Sequence, residues 1–254
     1  MSVALIILVA ALVVALLSMV VYAALGGRQD RDATRKGSQL ALGVGNFLVH
    51  WFMWVLTPLE RALVALHVSP DALNLGGLLF GLASGVALAF GRLELGGWAI
   101  VLGGVCDILD GRVARARQLA SPYGAFIDST LDRFVEVFAF LGFIVYLRDL
   151  LTGPLFAAAA MAGGLLVSYT RARGESVGIL CKGGLMQRAE RMTLMCVVCF
   201  AEPPCVRYLG TPPGHLTWWV MVVIAVGTFG TAIYRTLWIG ARLRAGAGTP
   251  PPSA

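Results

Sequence analysis

A chain of 254 residues that is 58% hydrophobic and only 13% charged, with mean hydropathy +0.79, excludes an ordinary water-soluble domain. Such domains carry roughly 25% charged residues. The net charge of +6 reads as Lys and Arg of cytoplasmic loops. No basic stretch is interleaved with stacking aromatics, so no nucleic-acid partner is expected.

Residues 3–25 form a continuous apolar run long enough to span a bilayer. A cleaved signal peptide is the competing reading. It fits poorly, because no basic residue precedes the run, the run is too long, and Arg28, Arg31, Arg35 and Lys36 follow it. Those charges place its C-terminal end in the cytoplasm. Residues 1–26 are therefore expected to be an extra N-terminal transmembrane anchor, and 27–45 a cytoplasmic linker. From Asn46 to His67, Trp51, Phe52, Trp54, Leu59, Leu63 and Leu66 mix with His50, Glu60 and Arg61. That pattern predicts an amphipathic interfacial helix within 46–70, started or broken in part by Pro58 and stopped by Ser69-Pro70.

Residues 71–240 then supply spans near 72–91, 95–117, 122–147, 154–173, 189–206 and 216–238. The predicted fold class is an all-α polytopic membrane protein: a six-helix core bundle, an extra N-terminal transmembrane helix and an amphipathic interfacial helix. Gly77, Gly81 and Gly85 give the first core span a small-residue face, read as packing within the bundle rather than as a dimerisation surface. Residues 203–214 read as a Pro- and Gly-rich loop, and 241–254 as a cytoplasmic tail. Threading the spans in alternating directions leaves only Arg92, Arg148 and Arg207 on one side, against the other 17 of the 20 Lys and Arg. The richer side is the cytoplasmic one. Cys196-x-x-Cys199 looks like half a redox or zinc motif, but no second Cys or His pair is suitably spaced. Both cysteines read as small hydrophobes of a helix.

Polar chemistry concentrates in one stretch. It runs Asp107-Ile-Leu-Asp110-Gly111-Arg-Val-Ala114-Arg115, then eight residues, then Gly124-Ala-Phe-Ile-Asp128-Ser-Thr-Leu-Asp132. On helices, Asp107 and Asp110 share one face, and Asp128 and Asp132 another. Clustered carboxylates in a bilayer are costly and repel one another, so divalent cations are expected among them. Such metals usually hold phosphates, and a two-metal site stabilises attacking and leaving oxygens in phosphoryl transfer. Gly111 allows close backbone approach, Arg115 can reach a phosphate, and one carboxylate can accept a proton from an attacking hydroxyl. The reaction class is metal-assisted phosphoryl transfer with one substrate held in the bilayer. A structural polar network is the bland alternative, and a divalent-cation transporter the rival of another class. A transporter accounts for the carboxylates, but not for the Gly and Arg within the acidic motif or for a site near one membrane face.

The pattern Asp-x2-Asp-Gly-x2-Ala-Arg-x8-Gly-x3-Asp-x3-Asp resembles the signature of the CDP-alcohol phosphotransferase family, and every position matches. Ser69-Pro70-Asp71-Ala-Leu-Asn74 is similar to the segment entering that family's first core helix, with Asp71 where the family often has Asn and Asn74 where it has Thr. The resemblance covers about residues 45–240. It implies six core helices, a cytoplasm-facing site in the cell (inner) membrane and a homodimer. It also implies transfer of a phosphatidyl-type group from a CDP-linked lipid to an alcohol, releasing CMP. By the resemblance, Asp107, Asp110, Asp128 and Asp132 hold two Mg²⁺ or Mn²⁺ ions, and Asp132 is the base on the acceptor hydroxyl. Asp107, Asp110, Gly111, Ala114, Arg115 and Gly124 surround the cytidine diphosphate.

For the acceptor, Ser168-Tyr-Thr-Arg171-Ala-Arg173-Gly-Glu175 and Gly184-Leu-Met-Gln-Arg188-Ala-Glu190-Arg191 look like segments of prokaryotic inositol-phosphate-using members of that family. The similarity implies that Arg171, Arg191 and Arg235 bind the phosphate of a water-soluble alcohol phosphate. Converging guanidinium forks suit phosphate oxygens. Glycerol 3-phosphate would need the same cationic pocket and is the alternative acceptor. For Arg173, Arg188, Arg242 and Arg244, simple anchoring at the cytoplasmic boundary weighs equally with function.

Overall fold

The computed structural model describes residues 3–26 and 44–246, and among these the regular secondary structure is entirely helical. There are eight described helices: α1 (Val3–Ala24), α2 (Val44–Ala65), α3 (Pro70–Ala89), α4 (Leu93–Ala116), α5 (Pro122–Tyr146), α6 (Gly153–Ser176), α7 (Arg188–Leu209) and α8 (His215–Arg244). Five are long and apolar enough to cross a membrane: α2 from Phe47, α3, α6, α7 and α8. Helices α4 and α5 reach span length at 24 and 25 residues but carry the acidic motif. The protein is a multi-pass, all-α membrane protein, and α3 to α8 supply the six expected core helices. Most of the expected linker (27–43) and tail (247–254) lies outside the described residues. Helix α8 runs past the expected end at 238 to Arg244.

The chain divides into two compact units, Met1–Leu75 with Cys106–Phe126, and Gly76–Val105 with Ile127–Ala254. In the first, α1 is docked on α2. Tyr22, only 2% exposed, has its ring 5.5 Å from Phe47 and 5.6 Å from Trp54, and Trp51 Nε1 donates to Ser18 Oγ at 3.0 Å. Helix α2 is in turn fastened to α4. Arg112 Nε donates to Glu60 Oε2 at 2.6 Å and its Nη2 to Thr57 Oγ1 at 3.3 Å. Arg117 Nη1 donates to the carbonyls of His67 and Val68, which follow the last turn of α2. His67, at φ 55, turns the chain out of α2. Ser69 then caps α3 by accepting from Ala72 N, with Pro70 as the first helical residue, where its missing N–H costs nothing.

Pro58 neither starts nor breaks α2, which runs through it. A proline leaves the carbonyl four residues back without its helical donor. Thr57 Oγ1 bonds the adjacent carbonyl of Met53 at 3.0 Å, so this turn keeps a side-chain bond beside the gap.

In the second unit, Leu88, Phe140, Phe143, Leu147, Met195, Met221 and Ile224 form a core that excludes solvent almost completely. The glycine face of α3 packs inside this bundle, as expected. A Cβ on Gly81 would stand 2.7 Å from Val135 Cγ2, and one on Gly85 would run into the Phe138 carbonyl. From the α5 side, a Cβ on Gly142 would lie 2.8 Å from Leu88 Cβ and 3.0 Å from Gly85 Cα. The two backbones touch, so Gly142→Ala is expected to cost about 1–3 kcal/mol through forced separation. Thermal unfolding in detergent measures it, and a midpoint equal to wild type would contradict the contact.

Helix α7 continues through Pro203-Pro204 to Leu209 and ends at Gly210 in the left-handed region at φ 67, so the loop expected from 203 begins only there. Buried Glu202 ties this end of α7 to the start of α8. Its carboxylate accepts from Gly214 N at 2.5 Å and from Thr217 N and Thr217 Oγ1 at 2.6 Å each. The first N–H groups of α8 are thus satisfied from α7, and the short connection holds the last turn of α7 in place. All five cysteines are free, and Cys199 is buried beside Gly97.

Candidate functional site

The first unit carries the N-terminal half of the motif. Asp107 and Asp110 lie three residues apart on α4, so they share a face. Asp110 is 3% exposed, and its Oδ1 accepts from the Gly111 amide. Gly111 leaves room for the side chain one turn on: a Cβ there would be 3.0 Å from Arg115 Nη1. Ala114 and Arg115 complete the last turn of α4 and are half-buried. Gly124 N donates to Ser121 Oγ at 3.1 Å, so Ser121 caps α5 with Pro122 as its first residue.

The second unit carries the other acidic pair. Asp128 and Asp132 lie four residues apart on α5, half-buried, with carboxylate oxygens within 4.8 Å of one another. Hard divalent cations take oxygen ligands at about 2.0–2.6 Å, so two oxygens at that separation fit on one ion. The pair could thus share a divalent cation. Asp132 Oδ1 is also 2.7 Å from Arg188 Nη2, at the first turn of α7.

One turn beyond Asp132 on the same face stands Glu136, 2% exposed. It meets Arg191, 0% exposed, in a two-pronged pair: Nε donates to Oε1, and Nη2 to Oε2 at 2.8 Å. Arg191 Nη1 donates to the Met186 carbonyl at 3.1 Å. Gly164 of α6 backs the pair, since a Cβ there would be 3.2 Å from both Arg191 Nε and Glu136 Oε1.

Of the arginines marked for the acceptor, Arg235 lies within electrostatic reach of both Arg171 and Arg191. The three differ in access. Arg171 is exposed and pairs with Glu175 one turn on, at 2.9 Å. Arg235 is 2% exposed and donates from Nε to Gly183 O and from Nη1 to Val167 O, both at 2.8 Å, tying α8 to α6 and to the loop before α7. Sequence reasoning missed Glu136 and the Arg112–Glu60 pair. The signal for Glu136 was its spacing, which continues that of Asp128 and Asp132 by one more turn. Arg112 stands at an unspecified position of the signature and gave none.

A family model described as CDP-alcohol phosphatidyltransferase matches residues 67–202. The chain belongs to the CDP-alcohol phosphatidyltransferase family. The signature from Asp107 to Asp132 lies wholly inside the match, while α1, α2 and α8, with Arg235, lie outside it. Among relatives, an archaetidylinositol phosphate synthase of Methanothermobacter thermautotrophicus is 36% identical over 174 residues, 68% of this chain and 84% of that protein. A phosphatidylinositol phosphate synthase of Streptomyces avermitilis is 34% identical over 195 residues, 74% and 78% of the two chains. In structure, the phosphatidylinositol phosphate synthase of Mycobacterium tuberculosis with CDP-DAG bound aligns at TM-score 0.64 and 23% identity, covering 72% of this chain and 92% of that one. At that identity the alignment speaks for the fold. The same mycobacterial enzyme has been solved in complex with manganese and citrate. As a CDP-alcohol phosphatidyltransferase, the protein is a membrane enzyme that transfers a phosphate-containing group.

Proposed function

We propose that the protein transfers the phosphatidyl group of CDP-diacylglycerol to a hydroxyl of an inositol phosphate and releases CMP. The observation that carries this reading is within one unit: the Asp128–Asp132 pair on α5, and Arg235 within reach of both Arg171 and Arg191. A carboxylate pair suits metal-held phosphates, and a guanidinium group suits an acceptor that is itself phosphorylated. The named activities of the relatives support the same acceptor. The enzyme sits in the cell membrane as a homodimer, with α1 as an N-terminal anchor, α2 at the interface and the site open to the cytoplasm.

Asp107, Asp110, Asp128 and Asp132 are the residues that would hold two divalent cations, Mg²⁺ or Mn²⁺. When bound, these ions supply Lewis-acid stabilisation of charge on the phosphate oxygens. Asp107, Asp110, Gly111, Ala114, Arg115 and Gly124 cradle the cytidine diphosphate, with Gly111 keeping a side chain off the path of Arg115. The acceptor's hydroxyl oxygen attacks the lipid-side phosphorus, and Asp132 takes the proton. The bond from that phosphorus to the bridging oxygen breaks, and CMP leaves with the electron pair. Arg171, the exposed one of the three, binds the acceptor's phosphate, and Arg191 and Arg235, buried on protein acceptors, add their positive charge behind it.

The test is an acceptor panel with purified protein, CDP-diacylglycerol and Mg²⁺ or Mn²⁺. Release of CMP is expected with inositol 1-phosphate and not with serine or free inositol, and chelation abolishes it. Release with glycerol 3-phosphate alone would replace the acceptor. Arg171→Gln is expected to raise the acceptor KM about 10- to 100-fold, the loss of one charged hydrogen bond, with the donor KM unchanged. An equal rise in both KM values would contradict the assignment.

A further inference from the structure

Two ion pairs join α5 to α7 as successive rungs. Asp132 and Glu136 are one turn apart on α5, and Arg188 and Arg191 one turn apart on α7. The rungs differ in burial. The side chains of Arg191 and Glu136 are 0% and 3% exposed, against 24% and 17% for Arg188 and Asp132. The inner rung is also two-pronged and closed off by Gly164. It fixes α7 in register on α5. The outer rung reaches solvent and can open by side-chain rotation, with no movement of either helix.

We propose that Arg188 is a movable counter-cation for Asp132, which competes with the divalent cation for that carboxylate and is drawn off it by an anionic acceptor. The inference rests on Asp132 as a metal ligand and proton acceptor. A guanidinium 2.7 Å from Oδ1 occupies lone pairs that a metal or a hydroxyl proton would use. It also sets a positive charge against any ion arriving between Asp128 and Asp132. A phosphate dianion offers a guanidinium more charge and more acceptor oxygens than one carboxylate does. Arg188 is one turn from Arg191, which is in reach of Arg235, so a phosphate held by the acceptor arginines comes close to it. Acceptor binding and metal binding then strengthen each other, and by linkage the coupling is the same in either direction. The base is freed only when there is a hydroxyl for it to serve.

The experiment is calorimetric titration of the full-length protein in detergent with Mn²⁺, without donor, so that no turnover is needed. Arg188→Gln is expected to bind Mn²⁺ about 5-fold or more tightly than wild type. Inositol 1-phosphate is expected to tighten Mn²⁺ binding by wild type and to leave that of Arg188→Gln unchanged. Arg188→Lys keeps the charge and should bind Mn²⁺ like wild type, which separates loss of the cation from damage to the fold. An Arg188→Gln affinity equal to or weaker than wild type, or equal tightening by inositol 1-phosphate in both, overturns the proposal. Binding heat that is absent, or unaffected by Asp128→Asn, would overturn the metal site itself and this proposal with it. The two failures are thus told apart.

Discussion

Asp132→Asn is expected to lower CMP release about 10²- to 10⁴-fold, the usual worth of a positioned general base. Asparagine matches the carboxylate in shape and retains an oxygen, but takes up no proton at neutral pH. Stability should change little. The Arg188–Asp132 pair is 24% and 17% exposed, and a pair that solvent reaches contributes about 0–1 kcal/mol. The expected result is a folded variant, unfolding within a few degrees of wild type, that turns over at the limit of detection. Because Asp132 is also placed at the metal, the rate must be read at saturating Mn²⁺. A rate within tenfold of wild type under those conditions would remove Asp132 as the base.

Glu136→Ala and Arg191→Ala are expected to be strongly destabilising, at about 3–5 kcal/mol each, because the first leaves Arg191 buried without its carboxylate and the second leaves Glu136 with only the longer contact to Arg133 at 3.9 Å. The reason lies in the burial of both groups, 2% and 0% exposed, and in the two-pronged geometry between them. The double change Glu136→Leu with Arg191→Met should recover most of that loss, since well-packed apolar residues replace a buried pair at little net cost. Thermal unfolding in one detergent and lipid mixture reads all three. Single variants within about 1 kcal/mol of wild type would mean that water reaches the pair. The double variant separates two roles of Arg191. Stability should return, while affinity for the phosphorylated acceptor should not, because the guanidinium is gone.

The helices were legible in sequence wherever apolar runs were bounded by polar turns, and α3 to α6 lie close to their expected positions. Two of the departures share one cause. Proline reads as a stop, yet Pro58 sits inside α2 and Pro203-Pro204 inside α7. In each case side chains that bind backbone groups lie close by: Thr57 on the Met53 carbonyl, and Glu202 on the amides that open α8. Tertiary partners of this kind leave no periodic trace. The aspartates of the site were legible because four carboxylates at helical spacing have no place in an apolar chain without a function. The state of the arginines was not. Sequence marks Arg191 and Arg235 as cations at helix ends, and folding buries both on protein acceptors. Glu136 passed unnoticed because it lies beyond the last aspartate of the signature, with Phe134, Val135, Val137 and Phe138 around it.

The most direct measurement follows the lipid-side phosphorus. Purified protein in detergent with Mg²⁺ is given CDP-diacylglycerol radiolabelled at that phosphorus, together with inositol 1-phosphate. The label should pass into an organic-soluble lipid bearing the inositol phosphate headgroup, with one CMP released for each label transferred, and no transfer in the presence of chelator. A label that stays on the donor, while the same protein in vesicles carries divalent cations across the bilayer, would contradict the account.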